Sequence, residues 1–149
     1  DKFFDITYNE CNTLRKKLMP KWTRRSFEDE RSVDDALEAF KLILISHQIR
    51  EIKASELAKV CMRIAWLYRY RGDDEKELEF VKHALKYYIE TYENESFPAD
   101  KLDEDTCIYM IGELNFRAGN YEDAVKWFSR LIGSQEARKN NALMEKLKK

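Results

Sequence analysis

Proline and glycine are scarce: the 149 residues contain two prolines and four glycines. So few chain breakers exclude a loop-rich fold and a β-rich chain with frequent turns, and they favour helices joined by short connections. Histidine is as scarce as proline, with only His47 and His83. A lone histidine on a helix is more often a packed or surface residue than a catalyst, and neither lies in an H-E-x-x-H spacing. The three cysteines, Cys11, Cys61 and Cys107, are far apart and form no C-x-x-C pair, so they make no cysteine metal site of recognisable spacing. Scattered thiols in odd number fit a reducing cytoplasm. No apolar run reaches the ~18–20 residues of a membrane span. Gly-rich phosphate loops are absent, and the acidic stretch 92–106 lacks the ligand spacing and central glycine of a calcium loop. Its plainer reading is a solvated turn with a helix cap. The start, DKFFDITYNEC, has no basic-then-apolar layout and no initiator Met, so the chain reads as a trimmed or processed piece without a signal peptide.

What is present is charge and helical pattern. Charged residues make up 37% and hydrophobic residues 44%, with a net charge of −1. That balance gives no overall drive toward nucleic acid or membrane. It is unevenly spread: residues 1–25 carry a net of +4, residues 135–149 a net of +3, and the middle is acidic.

Asp5 or Thr7 caps a first helix carrying Ile6, Cys11, Leu14 and Leu18 on one face, and Pro20 ends it. Residues 20–31 read as a loop with Trp22 and Phe27 as anchors. Ser32 with Asp35 makes a capping box for a helix reaching about Glu51. Ser55 caps a helix over 56–71, which Gly72 stops. Asp73 caps a long helix over about 74–95 with two apolar lines, Leu78-Val81-Leu85-Tyr88-Tyr92 and Phe80-Ala84-Tyr87. A helix apolar on two sides packs against more than one neighbour, so this one forms the spine. After a break at 96–102, Asp103 caps a helix over 104–118, Gly119-Asn120 turns the chain, and a partner helix follows over 121–132. Gly133-Ser134 is expected to stop it and cap a last helix over 135–148.

Two segments align by their turns, residues 60–85 and 107–132. Gly72 and Gly119 hold the same place; Ala65 and Gly112 lie seven residues upstream of them, and Val81 and Phe128 nine residues downstream. Small residues at Ala65 and Gly112 let two helices of a hairpin approach. In the second copy Gly112, Gly119, Tyr121, Ala124 and Phe128 follow the tetratricopeptide pattern. The first copy departs from it, with Glu77 where Ala is usual. Residues 34–44 resemble the second helix of a further, partial copy. The expected fold is therefore all-α: one domain of six to seven antiparallel helices, stacked as a short tetratricopeptide-like array of hairpins. Within it, 1–54 holds N-terminal helices and loop, 55–102 the first hairpin, and 103–149 the second hairpin with a C-terminal capping helix.

With PKW (20–22), AWLYR (65–69), YENESFP (92–98), IGEL (111–114) and GNYEDAVKWFSRLI (119–132) in view, the chain resembles a bacterial family known as domain of unknown function 2225 from about Leu18 onward. The resemblance implies a tetratricopeptide-like fold. It also implies an N-terminal part with metal-binding Cys pairs in other members, which this sequence begins after. It carries no activity over to this chain.

The functional expectation is a protein-interaction scaffold in the bacterial cytoplasm: not an enzyme, with a protein or peptide partner, no cofactor, no metal and no membrane, and with self-association open. The candidate partner-binding residues are Tyr68, Arg69, Glu113, Asn115 and Arg117. Arg69 and Glu113 either pair across the two hairpins or line a concave groove, and Asn115 is expected to be exposed there. The alternative is nucleic-acid or anionic-ligand binding through the basic segments 15–25 and 138–149, with Lys17, Lys21, Arg24 and Arg25 on phosphates and Trp22 stacking on a base. Trp22 has a plainer reading as a plug in the bundle.

Overall fold

The computed structural model describes residues 8–18 and 32–148. Among these the protein is six α-helices with no strand: α1 (Tyr8–Leu18), α2 (Val33–Ile49), α3 (Ala54–Arg71), α4 (Asp74–Asn94), α5 (Glu104–Arg117) and α6 (Tyr121–Leu147). Asp5, Thr7 and Ile6, the 20–31 loop, and Lys21, Trp22, Arg24 and Arg25 lie outside the described residues.

Helix starts follow their caps. The Ser32 hydroxyl accepts from the Asp35 amide at 3.2 Å, and the Asp35 carboxylate accepts from the Ser32 amide at 3.3 Å. Two amides that the helix leaves without intrahelical partners are thereby satisfied. Asp73 accepts from the Lys76 amide at 3.1 Å and Asp103 from the Thr106 amide at 2.7 Å. Ser55 is not a cap. The helix starts two residues earlier, after Lys53, and Ser55 is fully buried; its amide donates to the Glu95 carboxylate at 3.0 Å. The end of α4 thus caps the start of α3.

Both hairpin turns close alike. Gly72 and Gly119 have φ of 82° and 84°, the left-handed region that only glycine enters without a Cβ penalty. Each turn adds the two reverse bonds of a Schellman motif: Gly72 to Arg69 and Asp73 to Tyr68, then Gly119 to Phe116 and Asn120 to Asn115. Gly133 behaves differently. The helix runs through Gly133-Ser134 without a break, so the expected stop and separate last helix are replaced by one helix of 27 residues, about 40 Å long. Glycine inside a helix costs only about 1 kcal/mol against alanine, which ends no helix by itself.

Each helix packs on its neighbours in sequence, which makes a linear array. The core is built from Ala58, Cys61, Ile64 and Ala65 of α3, Val81 and Ala84 of α4, and Cys107, Ile111 and Leu114 of α5. Helix α4 is the spine. Beyond its neighbours it reaches α2, where Gln48 donates to the Tyr87 hydroxyl at 3.2 Å, and α6, where Tyr92 meets Trp127 edge-on at 5.1 Å. Between α4 and α5 the chain makes a tight turn in which Ala99 and Leu102 exchange backbone hydrogen bonds and are both buried. Lys59 of α3 holds that turn through the Asp100 carboxylate at 3.0 Å and its carbonyl oxygen.

Candidate partner-binding face

The antiparallel order brings three helix ends together: the C-termini of α3 and α5, and the N-terminus of α4 between them. Glu77, in the first turn of α4, is positioned there. Its carboxylate takes Arg69 of α3 at 2.6 Å and Arg117 of α5 at 3.8 Å, and Arg117 in turn holds Glu113 at 2.9 Å. The result is a row of alternating charge, Arg69–Glu77–Arg117–Glu113, across both hairpins. Glu77 is the least exposed member, with its side chain 17% accessible. Arg69 and Glu113 do not pair directly; Glu77 and Arg117 stand between them. The glutamate that departs from the repeat pattern is the residue that makes the joint.

Beside this row, α3 presents an exposed stripe of Arg63, Trp66 and Tyr70, three and four residues apart and so on one face. Trp66 is 51% exposed and Tyr70 is 82% exposed, on a helix that otherwise supplies most of the core. Trp, Tyr and Arg are the side chains that most often carry binding energy at protein interfaces. The sequence reading passed over Trp66 and Tyr70. Their signal was present in AWLYRYR, where they fall on the side of the helix away from Cys61, Ile64 and Ala65.

Two of the expected partner-binding residues are inside the fold. Tyr68 is 4% exposed, stacks on Phe80 at 5.6 Å, and has the Lys41 ammonium 5.1 Å from its ring centre. Asn115 is also 4% exposed. Its side-chain amide donates to the Ile111 carbonyl at 3.0 Å and its carbonyl accepts from the Asn120 side chain at 3.4 Å, so it fastens the Gly119 turn. The expected exposure of Asn115 is therefore corrected: burial with satisfied polar atoms makes it a structural residue.

The basic segments are placed in part. Lys16 and Lys17 are exposed on α1 and line a groove of about 830 Å³ against Leu42, Ile45 and Ile49 of α2. Arg138 is committed to Asp105 of α5 through two parallel bonds of 2.6 and 2.7 Å, while Lys139, Lys146 and Lys148 are exposed.

Several of the remaining reactive groups are buried. Cys61 and Cys107 are free and inside the core, and burial pushes both thiols up to about 12. Tyr88, whose carbonyl accepts from the Cys107 thiol at 3.5 Å, is likewise raised to about 12 by burial. His47 is 2% exposed with Glu56 at 3.8 Å, and His83 is exposed with its ring edge-on to Phe80. Asp103 is held below the usual carboxylate range by its hydrogen bonds from Thr106. Among the described residues no three His, Cys, Asp or Glu side chains are grouped to hold a metal ion, and no helix is long and apolar enough to cross a membrane.

Fold and surface together define a small all-helical array of packed hairpins that presents a mixed aromatic and charged face. The chain belongs to the family described as an uncharacterized protein conserved in bacteria, DUF2225, whose profile matches residues 1–149 and so extends the resemblance from Leu18 to the first residue. No match is found among curated proteins or among solved structures.

Proposed function

We propose that this chain is a protein-interaction module, built on two divergent tetratricopeptide-like hairpins, that holds a protein or peptide partner on the α3 face. The observation that carries the reading is the pair Trp66 and Tyr70, exposed one turn apart beside the Arg69–Glu77–Arg117 row. The aromatic rings supply apolar area at low entropy cost, and the charge row offers fixed donors and acceptors to a peptide backbone or to side chains. The matching turns at Gly72 and Gly119 and the fully buried Ala65 support the repeat reading. Helix pairs stacked in arrays commonly bind proteins, which supports the class by analogy. The buried, protonated thiols and the salt-bridged surface support a scaffold role in the cytoplasm over catalysis.

The anionic-ligand alternative draws less support, because Arg138 is neutralised by Asp105 and the Trp22 segment lies outside the described residues. One experiment separates the two. The full chain is used to capture binders from a bacterial lysate, with a Trp66→Ala/Tyr70→Ala variant alongside. Proteins enriched by the wild type and lost by the variant support the reading. Repeated recovery of nucleic acid without protein overturns it.

A further inference from the structure

The second unpartnered surface is on α6, away from the α3 face. Arg138 meets Asp105 near the start of α5, so residues 139–147 project beyond the helix they would otherwise pack on. Nine residues of helix are about 14 Å. At 100° per residue, Tyr121, Val125, Ile132, Leu143 and Leu147 fall within about 80° of one another on α6. From Val125 onward this stripe points away from the side that holds Ala124, Trp127 and Arg138; at its N-terminal end Tyr121 meets Phe116 of α5 edge-on at 5.4 Å. Its members are exposed throughout: Val125 63%, Ile132 56%, Leu143 57% and Leu147 73%. Two charges, Glu136 and Lys139, interrupt the same stripe at its middle, both exposed. A solvated helix face has no need of Val125, Ile132, Leu143 and Leu147 in line, and a continuous core-facing stripe has no need of the two charges.

The part of the stripe from Ile132 to Leu147, together with the two charges, is met by a second copy of the same helix running antiparallel, while Tyr121 and Val125 lie outside the overlap. We propose that the chain self-associates through α6, with a two-fold axis passing between Ala137 and Arg138. In that register Glu136 of each copy faces Lys139 of the other, giving two equivalent ion pairs about the axis. Ile132 of each copy faces Leu143 of the other, and Leu147 reaches the partly exposed edge of Phe128. The surface is then complementary to itself in charge and in apolar contact, as a two-fold interface requires. The stripe fits no single-sign surface, because the charges at its centre are of opposite sign. The helix overlap is about 30 Å, suited to a concentration-dependent dimer rather than an obligate one.

Sedimentation equilibrium on the full chain tests this. The wild type is expected to show a monomer–dimer equilibrium. Leu143→Glu should weaken the dimer roughly tenfold or more. Glu136→Lys or Lys139→Glu alone should weaken it by placing like charges together, and the double swap Glu136→Lys/Lys139→Glu should restore it. All three positions are exposed, so circular dichroism should show unchanged folding. A wild type that stays monomeric up to its solubility limit overturns the proposal, as does a dimer indifferent to Leu143→Glu. Single swaps that weaken the dimer without rescue by the double swap overturn the register. A monomer that binds anionic lipid vesicles through α6 also overturns it. None of these outcomes depends on the α3 face.

Discussion

Gly112 of α5 lies under the ring of Phe128 of α6: a Cβ built on the glycine would sit 2.7 Å from the ring's Cε1 atom. The two helices approach because one contributes no side chain at the crossing. Gly112→Ala should therefore destabilise the chain. The helix-propensity gain of about 1 kcal/mol offsets part of an overpacking cost of about 1–3 kcal/mol. A net loss of roughly 1 kcal/mol in urea unfolding is expected. In a Phe128→Leu background, where the ring is gone, the same substitution should be neutral or stabilising.

Glu77 is the joint between hairpins, so its couplings should be unequal. Double-mutant cycles should give about 0.5–1 kcal/mol for Glu77 with Arg69 and less for Glu77 with Arg117, since both arginines are partly solvated. These follow the distances of 2.6 and 3.8 Å. The cycle for Arg69 with Glu113 should return nothing beyond error, and both Glu77 couplings should shrink in high salt.

The buried thiols predict selective reactivity. The thiolate is the attacking form, and Cys61 and Cys107 keep their protons at neutral pH. A thiol reagent on the native chain should label exposed Cys11 promptly and the other two only as fast as the chain unfolds. Equal rates at all three would contradict the core described above.

The same groups set an alkaline limit. Cys61, Cys107 and Tyr88 each titrate higher in the folded chain, at about 12, than at their ordinary values of 9.0 and 10.0. The unfolded state therefore releases protons first as pH rises. The stability these groups contribute is whole below their unfolded values and is lost progressively as pH climbs through the folded ones. The melting temperature, followed in reducing buffer, should fall from about pH 9 upward, and Cys61→Ala should flatten that fall.

Much of this fold was legible because caps and turns are local. Ser32, Asp73 and Asp103 accept from an amide three residues on, and Gly72 and Gly119 enter a conformation other residues avoid; no tertiary knowledge is needed for either. Gly133 misled because glycine permits a turn without compelling one, and α6 simply continues. Ser55 misled because its amide is satisfied by Glu95, forty residues away, which no local spacing reveals. Asn115 reads as a polar residue on a helix and is buried because two neighbours satisfy it. The joint itself was half visible: Glu77 stood out against the repeat pattern, but the arginines that need it are brought in by the hairpin geometry. Trp66 and Tyr70 were legible in spacing, and they stay exposed because α2 and α4 pack on α3 away from them.

The most direct measurement of the central claim compares wild type with Trp66→Ala/Tyr70→Ala in capture and in melting. Both side chains are exposed, so unfolding stability should change by no more than about 0.5 kcal/mol for each. Protein capture by the full chain should nonetheless be lost. Capture that persists at wild-type strength, in a variant that melts as the wild type does, would contradict the assignment of the α3 face as the partner-binding surface.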